Sequence, residues 1–291
     1  MANDLIVNFT PTGLIPTKEM TPHVPISVNE IVEDVHRAVE LGITMVHLHA
    51  REEGTGVPSY KASIYRNIIA GIRSYSKDLI ICVSLSGRAV NSYEHRSEPL
   101  QLDGSEKPDM GSLTLSSLNF NVTASINSPD TIQRLANEMK ERGILPELEA
   151  FDIGMVNYAR YLIKKNIIEP PHYFNLLFGN IACSQSNLLH AGVMTNDLPE
   201  DSYISIAGIG DSQLMMNSMA IAMGWGVRVG LEDNIWFDAA RTKLARNIDL
   251  VRRVHHLASA NDRNIMSPGK LRKLLNLEEG DGRYGRIKPS E

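Results

Sequence analysis

Two histidines, His47 and His49, stand one residue apart at the end of an apolar run over residues 43–46. Side chains alternate across a β-strand, so both imidazoles point to the same side and can reach one metal ion. The pattern therefore predicts a divalent-metal site. The alternative interpretation is a buried strand that carries two hydrogen-bonded histidines.

Further polar side chains recur with a period of two at the ends of later apolar runs. A buried polar group without a partner costs on the order of a few kcal/mol, so this concentration is hard to explain as core filling. We interpret these side chains as site residues: Ser84 and Ser86 on a third strand, Ser112, Thr114 and Ser116 on a fourth, and Glu147 and Glu149 on a fifth.

The last apolar run, residues 227–232, places Arg228 and Glu232 on one face. The first and last strands adjoin when a barrel closes, so Glu232 is predicted to meet His47 and His49 across the first strand. Two imidazoles and one carboxylate leave open positions on the ion, which is typical of a catalytic site. Zinc is the preferred metal, and non-haem iron stays open. The alternative is a buried ion pair between Arg228 and Glu232.

Eight short apolar runs alternate with helical patterns, which is the signature of repeated βα units. Eight such units in roughly 250 residues favour an α/β fold of the (β/α)8 TIM barrel type over a doubly wound open sheet, which usually needs fewer strands. The active site of a barrel lies at the C-terminal ends of the strands, where the polar residues fall. The predicted strands cover residues 5–10, 44–49, 79–86, 110–115, 146–151, 173–178, 203–209 and 227–232.

A capping box over residues 27–30 begins the first helix, and Gly42 ends it. No Gly/Ser/Pro-rich linker divides the chain, so we predict one domain over residues 1–291, a barrel with a C-terminal helical extension. The polar stretch 88–108 is either a lid over the barrel mouth or a surface excursion. Further helices are predicted over residues 60–76, 128–142, 156–165, 212–223, 239–260 and 269–275.

Composition excludes several classes of protein. The formal net charge is −5 without a long basic run, which argues against nucleic-acid binding. Cys82 and Cys183 lie far apart, so neither a disulfide framework nor a thiolate metal site is indicated. No run approaches about 18 apolar residues and the N-terminus lacks a signal-peptide pattern, so we expect a cytoplasmic protein without a membrane segment.

Six segments, spread over nearly the whole chain, make the sequence similar to the β-keto acid cleavage enzymes, the family of the 3-keto-5-aminohexanoate cleavage enzyme. Together they are far more specific than any one alone. The segments are residues 25–30 (Pro-Ile-Ser-x-x-Glu), 47–51 (His-Leu-His-Ala-Arg), 107–110 (Lys-Pro-Asp-Met), 146–152 (Pro-Glu-Leu-Glu-Ala-Phe-Asp), 208–210 (Gly-Ile-Gly) and 227–234 (Val-Arg-Val-Gly-Leu-Glu-Asp-Asn).

The resemblance implies a zinc-dependent enzyme that condenses a β-keto acid with acetyl-CoA and then cleaves the adduct to acetoacetate and a new acyl-CoA. It also implies a homo-oligomer, a tetramer in the family. Zinc acts as a Lewis acid in such chemistry, and an arginine beside the catalytic base would orient it and depress its pKa. The implied residues are His47, His49 and Glu232 as zinc ligands, Asp233 as base with Arg228, Ser84 and Thr114 on the carboxylate and reacting carbonyl, and Glu147 as a further carboxylate.

Residues 12–16, Thr-Gly-Leu-Ile-Pro, depart from the lysine-fermentation enzyme, in which a glutamate of this loop binds the substrate ammonium. A buried ammonium without a counter-ion is costly, so we expect an uncharged or apolar β-keto acid instead of 3-keto-5-aminohexanoate.

The turn at Gly208 and Gly210 opens a helix. It is either a binding site for the CoA diphosphate or a tight turn without a ligand. Ser86, Ser112 and Ser116 are the other candidates for substrate or CoA binding.

Two other functions remain open from the sequence. One is a different metal-dependent barrel, such as a class II aldolase or a related lyase, which would not use CoA. The other is a non-catalytic ligand-binding barrel. Metal analysis separates the binding protein from the enzymes, and dependence of turnover on acetyl-CoA separates the two enzymes.

Overall fold

Eight parallel strands close into one barrel in the computed structural model, which describes residues 4–287. The strands are β1 (Val7–Phe9), β2 (Met45–Leu48), β3 (Ile80–Val83), β4 (Met110–Thr114), β5 (Leu145–Ala150), β6 (His172–Phe178), β7 (Ser202–Gly208) and β8 (Gly226–Val229). Each strand pairs with its neighbours in sequence, and β8 pairs with β1 to close the ring. The predicted (β/α)8 barrel is confirmed. Residues 1–3 and 288–291 of the predicted 1–291 domain lie outside the described residues.

Helices follow the strands around the outside of the ring. The capping box that begins the first helix is confirmed: Glu30 N donates to Ser27 Oγ (3.3 Å), and Ser27 N donates to a Glu30 carboxylate oxygen (3.0 Å). Gly42 ends this helix with a φ of 102°. The helices are α1 (Val28–Leu41), α2 (Ala62–Arg73), α3 (Tyr93–Arg96), α4 (Pro129–Arg142), α5 (Ile153–Lys164), α6 (Leu188–Asn196), α7 (Ser212–Ala222), α8 (Asn247–Ala260) and α9 (Pro268–Leu274).

The prediction of a helix over residues 239–260 is wrong in its first part, because α8 begins only at Asn247. The preceding residues form a loop in which Trp236 and Leu244 make a β-bridge. Arg241 in this loop has a φ of 55°, a left-handed conformation that interrupts any helix. The eighth strand also ends earlier than predicted, at Val229, so Glu232 lies in the following turn.

Helix α6 was not predicted from the sequence. Its nine residues carry apolar side chains on several faces, so no amphipathic stripe marks it. Leu188 and Leu189 are about 70% exposed. Two short hairpins, which were not predicted either, join Ala50–Arg51 to Pro58–Ser59 and Leu118–Asn119 to Ala124–Ser125.

The inside of the barrel is apolar at its N-terminal end and polar above. Apolar side chains near the starts of five adjacent strands form a floor, and full burial of each such side chain stabilises the fold by roughly 1.5–3 kcal/mol. Because side chains alternate along a strand, the residues two positions later share the same inner face. The floor consists of Met45, Ile80, Met110, Leu145 and Tyr173, and the layer above it of His47, Cys82, Ser112, Glu147 and Asn175.

The base of the barrel is closed by a buried ion pair between Arg272 of α9 and Asp109, which directly precedes β4. Both Nη atoms of Arg272 donate to the Asp109 carboxylate, at 2.9 and 2.8 Å. The guanidinium also donates to the carbonyl oxygens of Asp78, Leu79 and Glu278. The C-terminal extension is therefore fastened to the strand starts.

Residues 88–108 are packed against the barrel and contain α3 and two 3-10 turns, Glu98–Gln101 and Gly104–Glu106. Arg96 is fully buried, and its guanidinium donates to the carbonyl oxygens of Leu85 and Ile126 and to Asn127 Oδ1. Residues 93–108 are therefore a packed connection, whereas Arg88 at the start of the stretch lies at the C-terminal mouth of the barrel. None of the helices within residues 4–287 has the length and apolar character needed to cross a membrane.

Candidate active site

A cavity of about 850 Å³ opens at the C-terminal ends of the strands. Residues that follow each of the eight strands contribute to its wall, and the apolar floor closes the barrel beneath it. Polar side chains from the strand ends line its inner part, among them His49, Ser84, Thr114, Arg228, Glu232 and Asp233. The cavity is thus the place where the predicted chemistry can meet a substrate.

His47, His49 and Glu232 converge at the bottom of this cavity. The Nε2 atoms of the two histidines lie 3.2 Å apart, and His49 Nε2 lies 3.1 Å from a Glu232 carboxylate oxygen. The second carboxylate oxygen of Glu232 is buried and has no hydrogen-bond partner. One ligand atom from each residue lies within 4.8 Å of the others, so the three side chains can hold a metal ion.

A second group, His47, Cys82 and Glu147, is equally close but fully buried beneath the first. Here His47 Nδ1 lies 2.5 Å from a Glu147 carboxylate oxygen, which is a hydrogen-bond distance. With Nδ1–H donating to Glu147, Nε2 is the His47 atom that faces His49 and Glu232. Glu147 therefore orients a ligand of the upper group and does not reach the cavity.

Arg228 connects the carboxylates of the site. Its Nε donates to Asp233 Oδ2 (3.1 Å), and its Nη2 donates to Glu232 (2.6 Å). Its Nη1 lies 3.5 Å from Glu149 without hydrogen-bond geometry, so this atom has no hydrogen-bond partner. Asp233 also lies 3.5 Å from the Thr10 hydroxyl, which donates to it.

Burial and charge set the protonation of the site. Burial alone would raise the pKa of Glu232, but Arg228 and the two histidines hold it well below its usual value. Burial lowers the pKa of His49, whereas Glu147 and Glu232 overcome burial and raise the pKa of His47 to about 9. His49 is therefore neutral and able to bind a metal ion. His47 would first have to lose a proton.

The pKa of Asp233 is raised, which differs from the expectation that Arg228 would depress it. Burial raises the pKa of Asp233, and Arg228 opposes this only in part. A raised pKa makes a carboxylate a stronger base, so the correction favours proton abstraction by this side chain.

The balance of buried charge fits a divalent cation. Arg228 lies among four carboxylates, of which three are buried and Glu232 is partly exposed. Arg51 and Arg88 are further cations within electrostatic reach of Glu232. Buried negative charge without compensation is costly, and a bound cation would relieve it. The four carboxylates are Glu147, Glu149, Glu232 and Asp233.

Ser84, Ser86 and Thr114 line the cavity, and both serines lie beyond the end of β3. Thr114 Oγ1 donates to Glu149 (2.7 Å), which orients the hydroxyl. Ser86 Oγ accepts from the Arg88 backbone N–H (3.3 Å). Ser84 and Thr114 are therefore placed where they can contact a bound acid.

Three predicted binding residues are not among the residues that line the cavity. Ser112 Oγ accepts a hydrogen bond from Leu85 N (3.0 Å), and the Ser116 carbonyl accepts from Asn127. Gly208 allows close packing, because a Cβ there would lie 2.7 Å from the Gln213 Cα. Gly210 does line the cavity, with a φ of 59° and a hydrogen bond from its N–H to the Asp233 carbonyl (2.7 Å).

The loop after β1 forms the apolar side of the cavity through Leu14, Ile15 and Pro16. Arg51 fixes the path of this loop, since its guanidinium donates to the carbonyl oxygens of Gly13 (2.8 Å) and Pro16 (2.9 Å). A Cβ at Gly13 would lie 2.6 Å from Glu232 Cγ, so the loop passes close to the Glu232 side chain.

Sequence reasoning missed three residues of the site, Thr10, Arg51 and Arg88. The period of two from Glu147 points to Glu149, but it gives no partner. Arg51 follows the two histidines directly, yet its acceptors are backbone carbonyls, which leave no mark in a sequence.

The chain is similar to known proteins over nearly its whole length. A family model described as beta-keto acid cleavage enzyme matches residues 4–277. The 3-keto-5-aminohexanoate cleavage enzyme of Fusobacterium nucleatum is 34% identical over 282 residues, which cover 96% of this chain and 100% of that protein. The 3-oxoadipate:acetyl-CoA acetyltransferase of Cupriavidus necator is 35% identical over 288 residues, or 97% and 99% of the two chains.

Solved structures agree on the fold. ObcA, in a ternary complex with a C4-CoA adduct and oxalate, superposes with a TM-score of 0.78 at 20% sequence identity. The match covers 88% of this chain and 68% of that one. At this identity the likeness concerns the barrel alone.

Proposed function

The chain belongs to the beta-keto acid cleavage enzyme family, and from that premise we propose that it condenses a β-keto acid with acetyl-CoA and cleaves the adduct to acetoacetate and a new acyl-CoA. The resemblance predicted from the sequence is confirmed, and the chain is an enzyme that breaks a carbon–carbon bond. The observation that supports the proposal is the convergence of His47, His49 and Glu232 beside the Arg228–Asp233 pair in one open cavity.

His47, His49 and Glu232 would hold the metal, for which we propose zinc. Two neutral nitrogens and one carboxylate suit zinc in a catalytic site, and the same donor set suits ferrous iron. When bound, the cation supplies a Lewis acid that stabilises negative charge on a ketone oxygen. One Glu232 carboxylate oxygen has no hydrogen-bond partner, and several carboxylates surround it. Both observations support a cation bound between His47, His49 and Glu232.

Asp233 would remove a proton from the carbon between the ketone and the carboxylate of the β-keto acid. Burial raises the pKa of Asp233, and the hydrogen bond from Arg228 Nε fixes its orientation. Arg228 stays charged throughout and steadies the negative charge that develops. Its unpaired Nη1 is the donor available for that purpose.

The carbanion then attacks the thioester carbonyl of acetyl-CoA, and the CoA thiolate leaves. The thiolate returns to the original ketone, the older carbon–carbon bond breaks, and acetoacetate departs after taking up a proton. We propose that Ser84 and Thr114 hold the carboxylate and the reacting carbonyl during these steps. Gly210, at the turn before α7, would lie near the CoA diphosphate.

The substrate would not carry a positive charge on its acyl end. Leu14, Ile15 and Pro16 line the cavity where a counter-ion for an ammonium would be needed. A desolvated ammonium against these residues would lack a partner, which is costly. The chain would therefore disfavour 3-keto-5-aminohexanoate.

We also propose a homo-oligomer, with a tetramer as the expected form. Several apolar side chains of α6 and α7 are exposed on the single chain, and exposed apolar surface of this kind supports a subunit contact. The exposed residues are Leu188, Leu189, Val193, Leu214 and Met215. The two free cysteines fit the reducing conditions of the cytoplasm.

The decisive experiment screens the purified protein against a panel of β-keto acids with and without acetyl-CoA, while acetoacetate and acyl-CoA are measured. We expect turnover only when acetyl-CoA is present, together with one metal ion per chain. Cleavage without acetyl-CoA would favour an aldolase or lyase. A metal-free protein that binds acids without turnover would favour a ligand-binding barrel.

The Asp233→Asn variant tests the base. The amide keeps the shape but cannot take the proton, so kcat should fall by about 100-fold to 10,000-fold with metal content unchanged. Wild-type turnover by this variant would exclude Asp233 as the base.

A further inference from the structure

Arg88 is a cation at the cavity wall that the mechanism above does not use. It follows β3 by five residues and is half-buried among residues that line the cavity. Its Nε donates to Thr123 Oγ1 (3.3 Å), and its guanidinium lies over the Phe120 ring, 3.8 Å from the ring centre. The side chain is therefore held in place against the hairpin that follows β4.

Arg88 makes no ion pair with a carboxylate of residues 4–287, although the charge of Glu232 acts on it from a distance. Arg228 is paired with Glu232 and Asp233, and Arg241 at the rim is paired with Asp211 (2.8 Å). No carboxylate of the described chain forms an ion pair with Arg88, and its two Nη atoms make no hydrogen bond there. A fixed guanidinium with free donors in a partly apolar cavity is a receptor for an anion.

The position of Arg88 favours an interaction with the end of the acyl chain that is farther from the reacting carbons. Ser84 directly follows β3, and Thr114 is the last residue of β4, so both lie level with the metal-binding side chains. Arg88 lies further along the chain, beside the outer hairpin residues Phe120 and Thr123. A carboxylate bound beside this hairpin would be separated from the reacting carbons by part of the acyl chain.

Resting on the proposed function, we propose that Arg88 determines specificity by binding the distal carboxylate of a β-keto dicarboxylic acid. The planar guanidinium matches a carboxylate through two parallel hydrogen bonds. The acyl-CoA product then carries a free carboxylate at its end. This differs from the uncharged or apolar acyl end expected from residues 12–16 alone, because the cation comes from a different wall of the cavity.

The test compares matched acids of five to seven carbons, such as 3-oxoadipate and 3-oxohexanoate, which differ only in the terminal carboxylate. We expect kcat/KM to favour the diacid by about 10-fold to 100-fold, the range of a charge-assisted hydrogen-bonded pair. Arg88→Met should reduce that ratio by a similar factor. Arg88→Lys should restore part of it, since the charge returns without the two-pronged geometry.

Arg241→Met is the matched control, because Arg241 lines the same cavity but is already paired with Asp211. It should leave the ratio of diacid to monoacid unchanged. Thermal unfolding and metal content of each variant verify that the fold is retained.

Three outcomes would overturn the inference. A wild-type protein that uses the monoacids as well as the diacids excludes a carboxylate receptor while the proposed function stands. A variant Arg88→Met that raises the KM for acetyl-CoA equally with both acids assigns Arg88 to a CoA phosphate. A wild-type protein that turns over none of the acids with acetyl-CoA defeats the proposed function itself, and this inference with it.

Discussion

Arg228 and Arg272 are both almost completely buried. They lie at opposite ends of the barrel and differ in how completely their hydrogen-bonding capacity is satisfied. At the base, every guanidinium nitrogen of Arg272 has an acceptor, and the Asp109 carboxylate accepts further from Ile81 N and Gly285 N. At the mouth, Arg228 Nη1 and one oxygen of Glu232 have no hydrogen-bond partner.

The difference separates a structural ion pair from a reactive one. A buried polar atom without a partner costs free energy, and such costs persist where function requires them. The Arg272 guanidinium uses all of its nitrogens as donors to acceptors of the protein itself and therefore fastens α9 to the strands. The upper cluster leaves one donor and one acceptor unpaired, which on the proposed function would serve the substrate and the metal.

Replacement of Glu232 by glutamine should have the largest effect on the upper cluster. The variant loses an anionic ligand, so we expect metal content near zero and a fall in turnover of at least about 1,000-fold. Metal analysis and steady-state kinetics measure both. Glu149→Gln, a neighbouring carboxylate outside the ligand group, should keep the metal. Full zinc occupancy in Glu232→Gln would contradict the ligand assignment.

Arg272→Met should affect stability instead of chemistry. It leaves Asp109 charged and buried without its main partner, so the free energy of unfolding should fall by about 3–5 kcal/mol. Urea denaturation measures the change, and kcat per folded molecule should stay the same. Arg241→Met, which breaks an exposed pair, should leave unfolding nearly unaltered. An equally small effect of Arg272→Met would remove the contrast between the two ends.

Glu147→Gln should weaken metal binding by about 10-fold to 100-fold, the usual effect of losing the carboxylate behind a histidine ligand. The amide can still accept from His47 Nδ1–H, and the unpaired Asn8 Oδ1 can accept from the new amide group after rotation. The fold should therefore persist. Competition with a chelator measures the affinity, and an unchanged value would show that Glu147 does not orient His47.

Metal affinity should rise with pH by about tenfold per unit between pH 6 and 8. The pKa of His47 is raised to about 9 in the metal-free protein, chiefly by Glu147 and Glu232 against the effect of burial. The metal binds the deprotonated ring, so each unit of pH below 9 costs one power of ten in affinity. Titrations at three pH values test the slope, and a flat profile would place the proton elsewhere.

The sequence predicted the barrel because strand periodicity and helix caps are local. It also placed His47, His49 and Glu232 together, because alternation and barrel closure suffice for that step. Two predicted element boundaries are wrong. Strand β8 ends at Val229, and helix α8 begins only after a loop that contains the left-handed Arg241.

The remaining details depend on contacts distant in sequence. Ser112 satisfies a backbone N–H, and Glu147 lies behind His47, although both share the strand pattern of cavity residues. Periodicity identifies which side chains point inward, but it does not distinguish depth within the barrel. Helix α6 was missed since it lacks an amphipathic stripe, and a helix of that kind needs a covering partner.

The contacts of Arg51 bear on how such an enzyme can change its substrate. The Arg51 guanidinium donates hydrogen bonds to the main-chain carbonyl oxygens of Gly13, Pro16 and Gly56. Every amino acid has such an oxygen. Residues 14 and 15 between these anchor points can therefore be exchanged without releasing the loop. New acyl groups can be accommodated by mutation of this wall while the reacting centre stays intact, so that divergence of specificity need not compromise the catalytic step.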